Sequence, residues 1–300
     1  MNTKNRFLNW FIACLGVIIV ISLSSALYIE KFFSKRIKYK KPEFILAERK
    51  KMVQEYGAQS VTLTTRDNKQ IAALYVERPD ARRIFLICHG FKRSKEYVTG
   101  FLDMFPQDSI FFIDFRGHGQ SAGDRVSLGL SEYLDVVAAV DYIKKNISST
   151  MPLFGLGISM GGSAVLRAAA AGADFDAIIS DSAPSSFKDT VTCILQSTRR
   201  IPYPIGWLAL TWYEFIMQES ISRSCYKNYA AKIKCPVLIM HDERDYLIDF
   251  KHAEKIFGSL GSSCKLLWVA SGTRHGKMHK QIPSQYKKVV DGFIDACYAR

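Results

Sequence analysis

Gly157-Ile158-Ser159-Met160-Gly161 is the stretch that most restricts how this chain can fold. Before it, Met151-Pro152-Leu153-Phe154-Gly155-Leu156 is a short apolar segment that reads as a buried strand. After it, Gly162-Ser163-Ala164-Val165-Leu166-Arg167-Ala168-Ala169-Ala170 is strongly helix-forming. A serine at the turn between them, with glycine two residues to either side, has the form of a strand-to-helix elbow that presents a nucleophile. The glycines suit such a turn because close neighbours can approach where no Cβ intervenes. The pentapeptide alone recurs in unrelated chains, so the flanking strand and helix carry the inference.

A serine hydroxyl is a weak nucleophile at neutral pH. It needs a base, a group that orients the base, and donors for the developing oxyanion. In an elbow of this kind the acid and then the histidine follow the serine along the chain. Downstream lie His241, His252, His275 and His279. The apolar run Cys235–Met240 leads into His241-Asp242-Glu243-Arg244-Asp245, and Lys265–Ala270 leads into Ser271-Gly272-Thr273-Arg274-His275-Gly276. Both read as buried strands ending in loops, the places where open α/β sheets assemble their sites. His275 is the better base, since a short loop separates it from its strand. His279 reads as a solvated residue of the final helix, and Asp242 and Asp245 both stand as candidate acids. Upstream, the strand Arg83–Cys88 ends in His89-Gly90-Phe91. Gly90 lets the chain turn so that the Phe91 amide, with that of Met160, forms a two-donor oxyanion hole. His89 precedes the serine and is read as shaping its loop.

These motifs together resemble the α/β-hydrolase superfamily, in particular its serine aminopeptidase and monoacylglycerol-lipase-like branch. The resemblance spans residues 58–298. It rests on His89-Gly90-Phe91 with Ser94, on Asp114-Phe115-Arg116-Gly117-His118-Gly119-Gln120-Ser121, on Gly157–Gly162, and on the positions of Asp245 and His275. It implies an α/β-hydrolase fold, a mostly parallel sheet flanked by helices, with Ser159, Asp245 and His275 as the triad. Asp242 stands where the family usually has glycine, a departure that leaves the choice of acid open. Arg116 and His118 fall in a loop whose family role is structural. The fold itself does not choose among ester, thioester and amide chemistry.

With 300 residues the chain can bury the core of one large α/β domain. Its seven cysteines, Cys14, Cys88, Cys193, Cys225, Cys235, Cys264 and Cys297, are scattered and show no zinc spacing. They predict no disulfide framework. No histidine–carboxylate cluster has metal-ligand spacing, and no dinucleotide fingerprint is complete. No cofactor and no metal are therefore expected. The net charge of +13 raises nucleic-acid binding, but the clearest basic run is beside an apolar segment and no nucleic-acid motif accompanies it. No nucleic-acid partner is expected.

That apolar segment, Phe7 to Tyr28, is long enough for the roughly 20 residues that cross a bilayer. Trp10 and Tyr28 mark its ends, and Lys31, Lys35, Arg36, Lys38, Lys40 and Lys41 follow. Residues 1–41 are expected to be a single-pass anchor with its basic flank. A cleaved signal peptide is the competing reading, since Ser24-Ser25-Ala26 has the small residues of a cleavage site. The balance of Lys and Arg, and the lack of a disulfide pattern, favour a catalytic domain on the cytoplasmic side.

Residues 42–300 are expected to form the hydrolase domain, opening with a β-hairpin over residues 59–76 and carrying an insert at about 183–232. Its aromatics, among them Tyr203, Trp207, Trp212, Tyr213 and Phe215, predict a lid over an apolar acyl pocket. The expected activity is cleavage of a small-molecule carboxylic ester, acyl or lipid-like, at the membrane. A peptidase or amidase using the same triad, and a catalytically silent membrane-tethered interaction protein, are the alternatives.

Overall fold

The computed structural model of the protein describes residues 3–33, 36, 37, 39, 41–192, 202–217 and 220–298. Eight strands form one sheet in the order β1-β2-β4-β3-β5-β6-β7-β8. The hairpin β1 (Gln59–Thr64) and β2 (Gln70–Val76) is antiparallel, and β2 also runs antiparallel to β4 (Ser109–Ile113). The remaining pairs are parallel: β3 (Ile84–Cys88) with β4 and β5 (Leu153–Ile158), then β6 (Ala177–Asp181), β7 (Val237–Asp242) and β8 (Lys265–Ala270). Strands β3 to β7 are buried at every position, as expected of parallel strands covered by helices on both faces.

Two apolar cores flank the sheet. One is filled from α4 (Tyr133–Asn146), α5 (Met160–Ala170) and α7 (Lys251–Ser259), with Val136, Val140, Val165 and Ile256 fully or almost fully buried. The other is filled from α2 (Pro42–Tyr56), α3 (Phe101–Met104) and α9 (Pro283–Tyr298), with Met52, Phe101, Tyr286 and Val290 at zero exposure. A short α8 (Met278–Gln281) precedes α9.

The N-terminal helix α1 (Thr3–Phe33) is long and apolar enough to cross a membrane. Its first part exposes Trp10, Val17 and Val20 by more than half, whereas Ala26, Ile29 and Phe33 near its end are buried in the first core. The helix packs along α6 (Tyr203–Met217) of the insert. Phe33 meets Phe91 at 5.6 Å and Phe187 at 5.3 Å between ring centroids. Beyond it, Arg36 donates to the carbonyls of Ser121 (2.7 Å) and Gly119 (2.6 Å), and the Ile37 amide donates to Gly117. Part of the basic flank is thus docked on the loop after β4.

A lid over the serine is expected of the insert; the aromatics of its described part have the following neighbours. Tyr213 stacks on Phe187 and Trp212 lies edge-on to Phe215, against α1. The pattern of aromatic residues carried no information about which apolar partner they would meet. The cysteines were read as unpaired, yet Cys264, just before β8, is bonded to Cys297 in α9. Residues 33 apart with no framework around them gave no sequence signal. Cys14, Cys88, Cys225 and Cys235 are free.

Candidate active site

The elbow is built by steric exclusion. Ser159 sits at φ 53° and ψ −116°, a left-handed backbone conformation that costs of order 1–3 kcal/mol for a residue with a Cβ. Its amide donates to the Asp181 carbonyl at 2.7 Å, which ties the turn to β6. A Cβ on Gly157 would collide with the Gly161 carbonyl, and one on Gly161 with the Cys88 carbonyl. These two glycines let strand, turn and helix close on one another and on β3.

The loops after β7 and β8 bring the other groups to the serine. His275 Nε2 lies 2.9 Å from Ser159 Oγ, and His275 Nδ1 lies 2.6 Å from Asp245 Oδ2. A carboxylate accepts only, so Nδ1 carries the proton and Nε2 is free to accept from the hydroxyl. Asp245 Oδ1 accepts from the amides of Leu247 (2.9 Å) and Ile248 (3.0 Å). Burial works to raise the Asp245 pKa, but the His275 contact and these amide donors outweigh it and hold the carboxyl below its ordinary range. It is therefore ionised at neutral pH.

Asp242 does different work. Its Oδ2 accepts from the Thr273 amide and hydroxyl, the latter at 2.7 Å, and its Oδ1 accepts from the Arg244 amide at 2.9 Å. It staples the acid loop to the histidine loop and makes no hydrogen bond to His275 among the described residues.

Met160 follows the serine in the chain, and Phe91 follows Gly90, which lies against it. Met160 opens α5, where the first amides of a helix have no partner within it. Gly90 is so close that a Cβ on it would lie 3.5 Å from Ser159 Cβ, which brings the Phe91 backbone to the same spot. His89 accepts from the Phe115 amide (3.1 Å) and donates to the Gly90 carbonyl (2.8 Å). Full burial pushes its pKa down to about 3, so it is a neutral brace for the loop. His118 is also buried and lowered, and accepts from the Lys92 amide. Arg116 pairs with Asp135 and Asp67. His241 donates to the Ile248 carbonyl, and His252 accepts from the Ser185 amide.

His279 was expected in solvent and is instead buried, stacked on Phe101 at 5.0 Å. Burial pushes its pKa down to about 3. The final helical segment begins in two pieces, α8 and α9, and the break turns His279 inward under the cleft.

A cleft of about 200 Å³ opens beside Ser159 and His275. Phe91, Val98, Ile158 and Leu247 give it apolar walls, and Arg93, Lys277 and Lys280 also line it. None of the described α6 residues does. Among the described residues, no group of histidine, cysteine and carboxylate side chains is arranged to hold a metal ion.

Comparison with known proteins agrees with this architecture. A family profile described as "Serine aminopeptidase, S33" matches residues 79–210. An uncharacterised Bacillus subtilis protein, YqkD, is 28% identical over 241 residues, covering 75% of each chain. The aho-3 α/β-hydrolase domain-containing protein of Caenorhabditis elegans is 26% identical over 243 residues, 78% of this chain and 64% of the relative. Among solved structures, the Pyrococcus furiosus esterase Pf2001 superposes with a TM-score of 0.67 at 20% identity, covering 87% of this chain and 96% of that one. The chain has the α/β-hydrolase fold and is similar to members of that superfamily, and it is a hydrolase.

Several features of the hydrolase escaped the sequence reading. Asp181, buried at the end of β6, accepts from the Ser182 hydroxyl at 2.7 Å and lies near the Tyr286 hydroxyl. Burial raises its pKa to about 7. Lys95 is fully buried and paired with Asp114 at 2.5 Å, while Glu96 beside it is paired with Arg49 at 2.6 Å, bracing the segment after Phe91. Arg93 and Lys277 each stand two residues beyond an expected site residue, Phe91 and His275. That adjacency was the signal available for the charged wall of the cleft.

Proposed function

We propose that the protein is a membrane-anchored serine hydrolase that cleaves a carboxylic ester, acyl or lipid-like in character. Ser159 attacks the ester carbonyl, and His275 takes the hydroxyl proton and returns it to the leaving alcohol. Asp245 holds the imidazole in the required tautomer and stabilises its cation. The amides of Phe91 and Met160 receive the oxyanion. Water then attacks the acyl-enzyme through the same histidine. The observation that carries this reading is the hydrogen-bonded chain from Asp245 through His275 to Ser159, at 2.6 and 2.9 Å. The structural neighbours include the Pyrococcus furiosus esterase and, at a TM-score of 0.61 and 18% identity, a Butyrivibrio proteoclasticus protein, Est1E, with ferulic acid bound.

The family profile names an aminopeptidase, but the cleft favours an ester over a peptide N-terminus. An α-ammonium group is recognised by carboxylates, and the described residues lining the cleft include none. Purified full-length protein should hydrolyse short-chain p-nitrophenyl esters, and Ser159→Ala should reduce kcat by about three orders of magnitude or more. An unchanged rate in Ser159→Ala would overturn the mechanism. Faster turnover of aminoacyl amides than of esters would favour the peptidase.

The domain plan supported here is an anchor and basic flank over residues 1–41, then a hydrolase domain with its insert at about 183–232. The exposed apolar surface of α1, continued by Trp207 and Phe215 of α6, supports residence in a bilayer. The basic flank favours a cytoplasmic catalytic domain. The Cys264–Cys297 bond favours an oxidising compartment instead. Protease shaving of intact spheroplasts separates the two: survival of the domain without lysis supports the cytoplasmic side, and its degradation overturns it.

A further inference from the structure

We propose that the cleft beside Ser159 selects an ester that carries a negative charge close to the scissile bond, with Arg93, Lys277 and Lys280 as its recognition wall. The inference rests on the ester-hydrolase reading and adds the substrate class. All three residues line the same small cleft as Ser159 and His275. Arg93 comes from the segment after β3, Lys277 from the loop after β8 and Lys280 from α8, and these converge there.

Tyr97 organises two of the three. The Arg93 guanidinium lies 5.0 Å over its ring, and Lys280 Nζ donates to its carbonyl at 2.9 Å. Lys277 is half-buried and feels the charge of both Lys280 and Arg93. The contrast with other basic residues is instructive. Arg49, Arg83, Lys95 and Arg116 each hold a carboxylate within 2.9 Å. Among the described residues, none of the three cleft cations has a carboxylate within salt-bridge distance. The Glu48 carboxylate, whose charge reaches Lys280, accepts from the Thr99 hydroxyl at 2.7 Å.

Three like charges gathered in a concave site repel one another, and the walls of such a cleft focus their field. Burial and the neighbouring cations both push Lys277 and Lys280 below the ordinary lysine value. An incoming anion relieves that repulsion. Carboxylate and phosphate share this chemistry, so the substrate is either a half-ester of a dicarboxylic acid or an acyl ester next to a phosphate, as in a lipid headgroup. A cleft of about 200 Å³ accommodates such a group together with a short acyl portion.

The test uses full-length protein in neutral detergent and two substrate pairs whose members are alike in acyl length but differ in net charge. The soluble pair is p-nitrophenyl pentanoate and mono-p-nitrophenyl glutarate. The lipid pair is lysophosphatidylcholine and lysophosphatidylglycerol. Wild-type protein should prefer the anionic member of at least one pair by about tenfold in kcat/KM, and added salt should shrink that preference. Lys277→Met with Lys280→Met should abolish it through KM, and Lys277→Glu should invert it. Arg93→Gln gives an independent variant if the double one is unstable. Preference in the soluble pair alone identifies a carboxylate substrate, and in the lipid pair alone a headgroup. Equal turnover of charged and neutral esters, or a preference untouched by the lysine changes, overturns the inference while leaving the esterase intact. If no ester is cleaved, the ester reading itself fails. Calorimetric binding of methyl phosphate then decides the charged wall: binding lost in the double variant supports it, and no binding to wild type overturns it.

Discussion

Ser159, Asp245 and His275 are fixed by short hydrogen bonds at strand ends, whereas α1 packs against α6 with a largely apolar sequence. At the ends of β7 and β8 the carboxylates of the site are tied by named donors. Asp245 accepts from His275, Leu247 and Ile248, and Asp242 binds Thr273 and Arg244. Such contacts are directional, so they hold geometry to the few tenths of an ångström that proton transfer needs. The helical cover works by burying Ala26, Ile29 and Phe33 against α6 and Phe187 while leaving Trp10 and Val20 outside. Dispersion and hydrophobic contact are not directional, so this region can slide or dock in more than one way at modest cost. The comparison teaches that the site should be brittle to single polar changes and the cover tolerant of them.

The largest expected effect sharpens the difference between two carboxylates three residues apart. Asp245→Asn should lower kcat by about three to four orders of magnitude with little change in Tm, because it removes the partner that sets the imidazole tautomer. Asp242→Asn should do the reverse, costing about 1–3 kcal/mol of stability and far less activity, because it weakens the staple between loops. Paired kinetic and thermal-melt measurements check both. The opposite ranking would move the acid to Asp242.

A smaller effect is expected where the fold is tied covalently. Cys297→Ser, or reduction, opens a 33-residue loop between β8 and α9 and should cost about 3–4 kcal/mol. Ester turnover below the new Tm should hardly change, since neither cysteine reaches the cleft. Denaturant melts with and without reductant measure it.

Phe33→Ala tests whether α1 is part of the packed domain. Phe33 is 3% exposed and packs on Phe91 and Phe187, so its loss should cost about 3 kcal/mol. A simple tether would leave Tm unchanged.

The smallest effect concerns Asp181. Burial raises its folded pKa to about 7, against 3.8 for an ordinary aspartate. The folded state therefore keeps a proton that the unfolded chain gives up between those values. The stability this contributes is present at low pH and is lost as pH rises toward 7. Asparagine imitates the neutral acid, so Asp181→Asn should raise Tm relative to wild type more at pH 8 than at pH 5. A pH-independent difference would mean that Asp181 is already ionised when folded.

The same contrast explains what could be read from the sequence. The elbow was legible because Gly157 and Gly161 are required by a turn only a few residues long. The strand-end loops were legible because apolar runs ending at Asp242 and Ala270 announce where a parallel sheet stops. Choosing Asp245 over Asp242 needed the family resemblance, since the bonds that separate them reach Thr273 and His275 some 30 residues away. Long-range pairings such as Cys264–Cys297 left no local pattern. The aromatics of α6 marked an apolar helix but not its partner, because α1 and an acyl chain offer the same kind of surface. Arg93, Lys277 and Lys280 carried no sequence signal of their own, because the segments after β3 and β8 that hold them meet only in the folded chain.

The central claim is that Ser159 is an activated nucleophile. Incubation of the detergent-solubilised, full-length protein with a fluorophosphonate, followed by peptide mapping, tests it most directly. The account predicts one adduct, on Ser159, absent from Ser159→Ala and formed far more slowly in His275→Ala. A folded wild-type protein that takes no label, or a label that persists in Ser159→Ala, would contradict it.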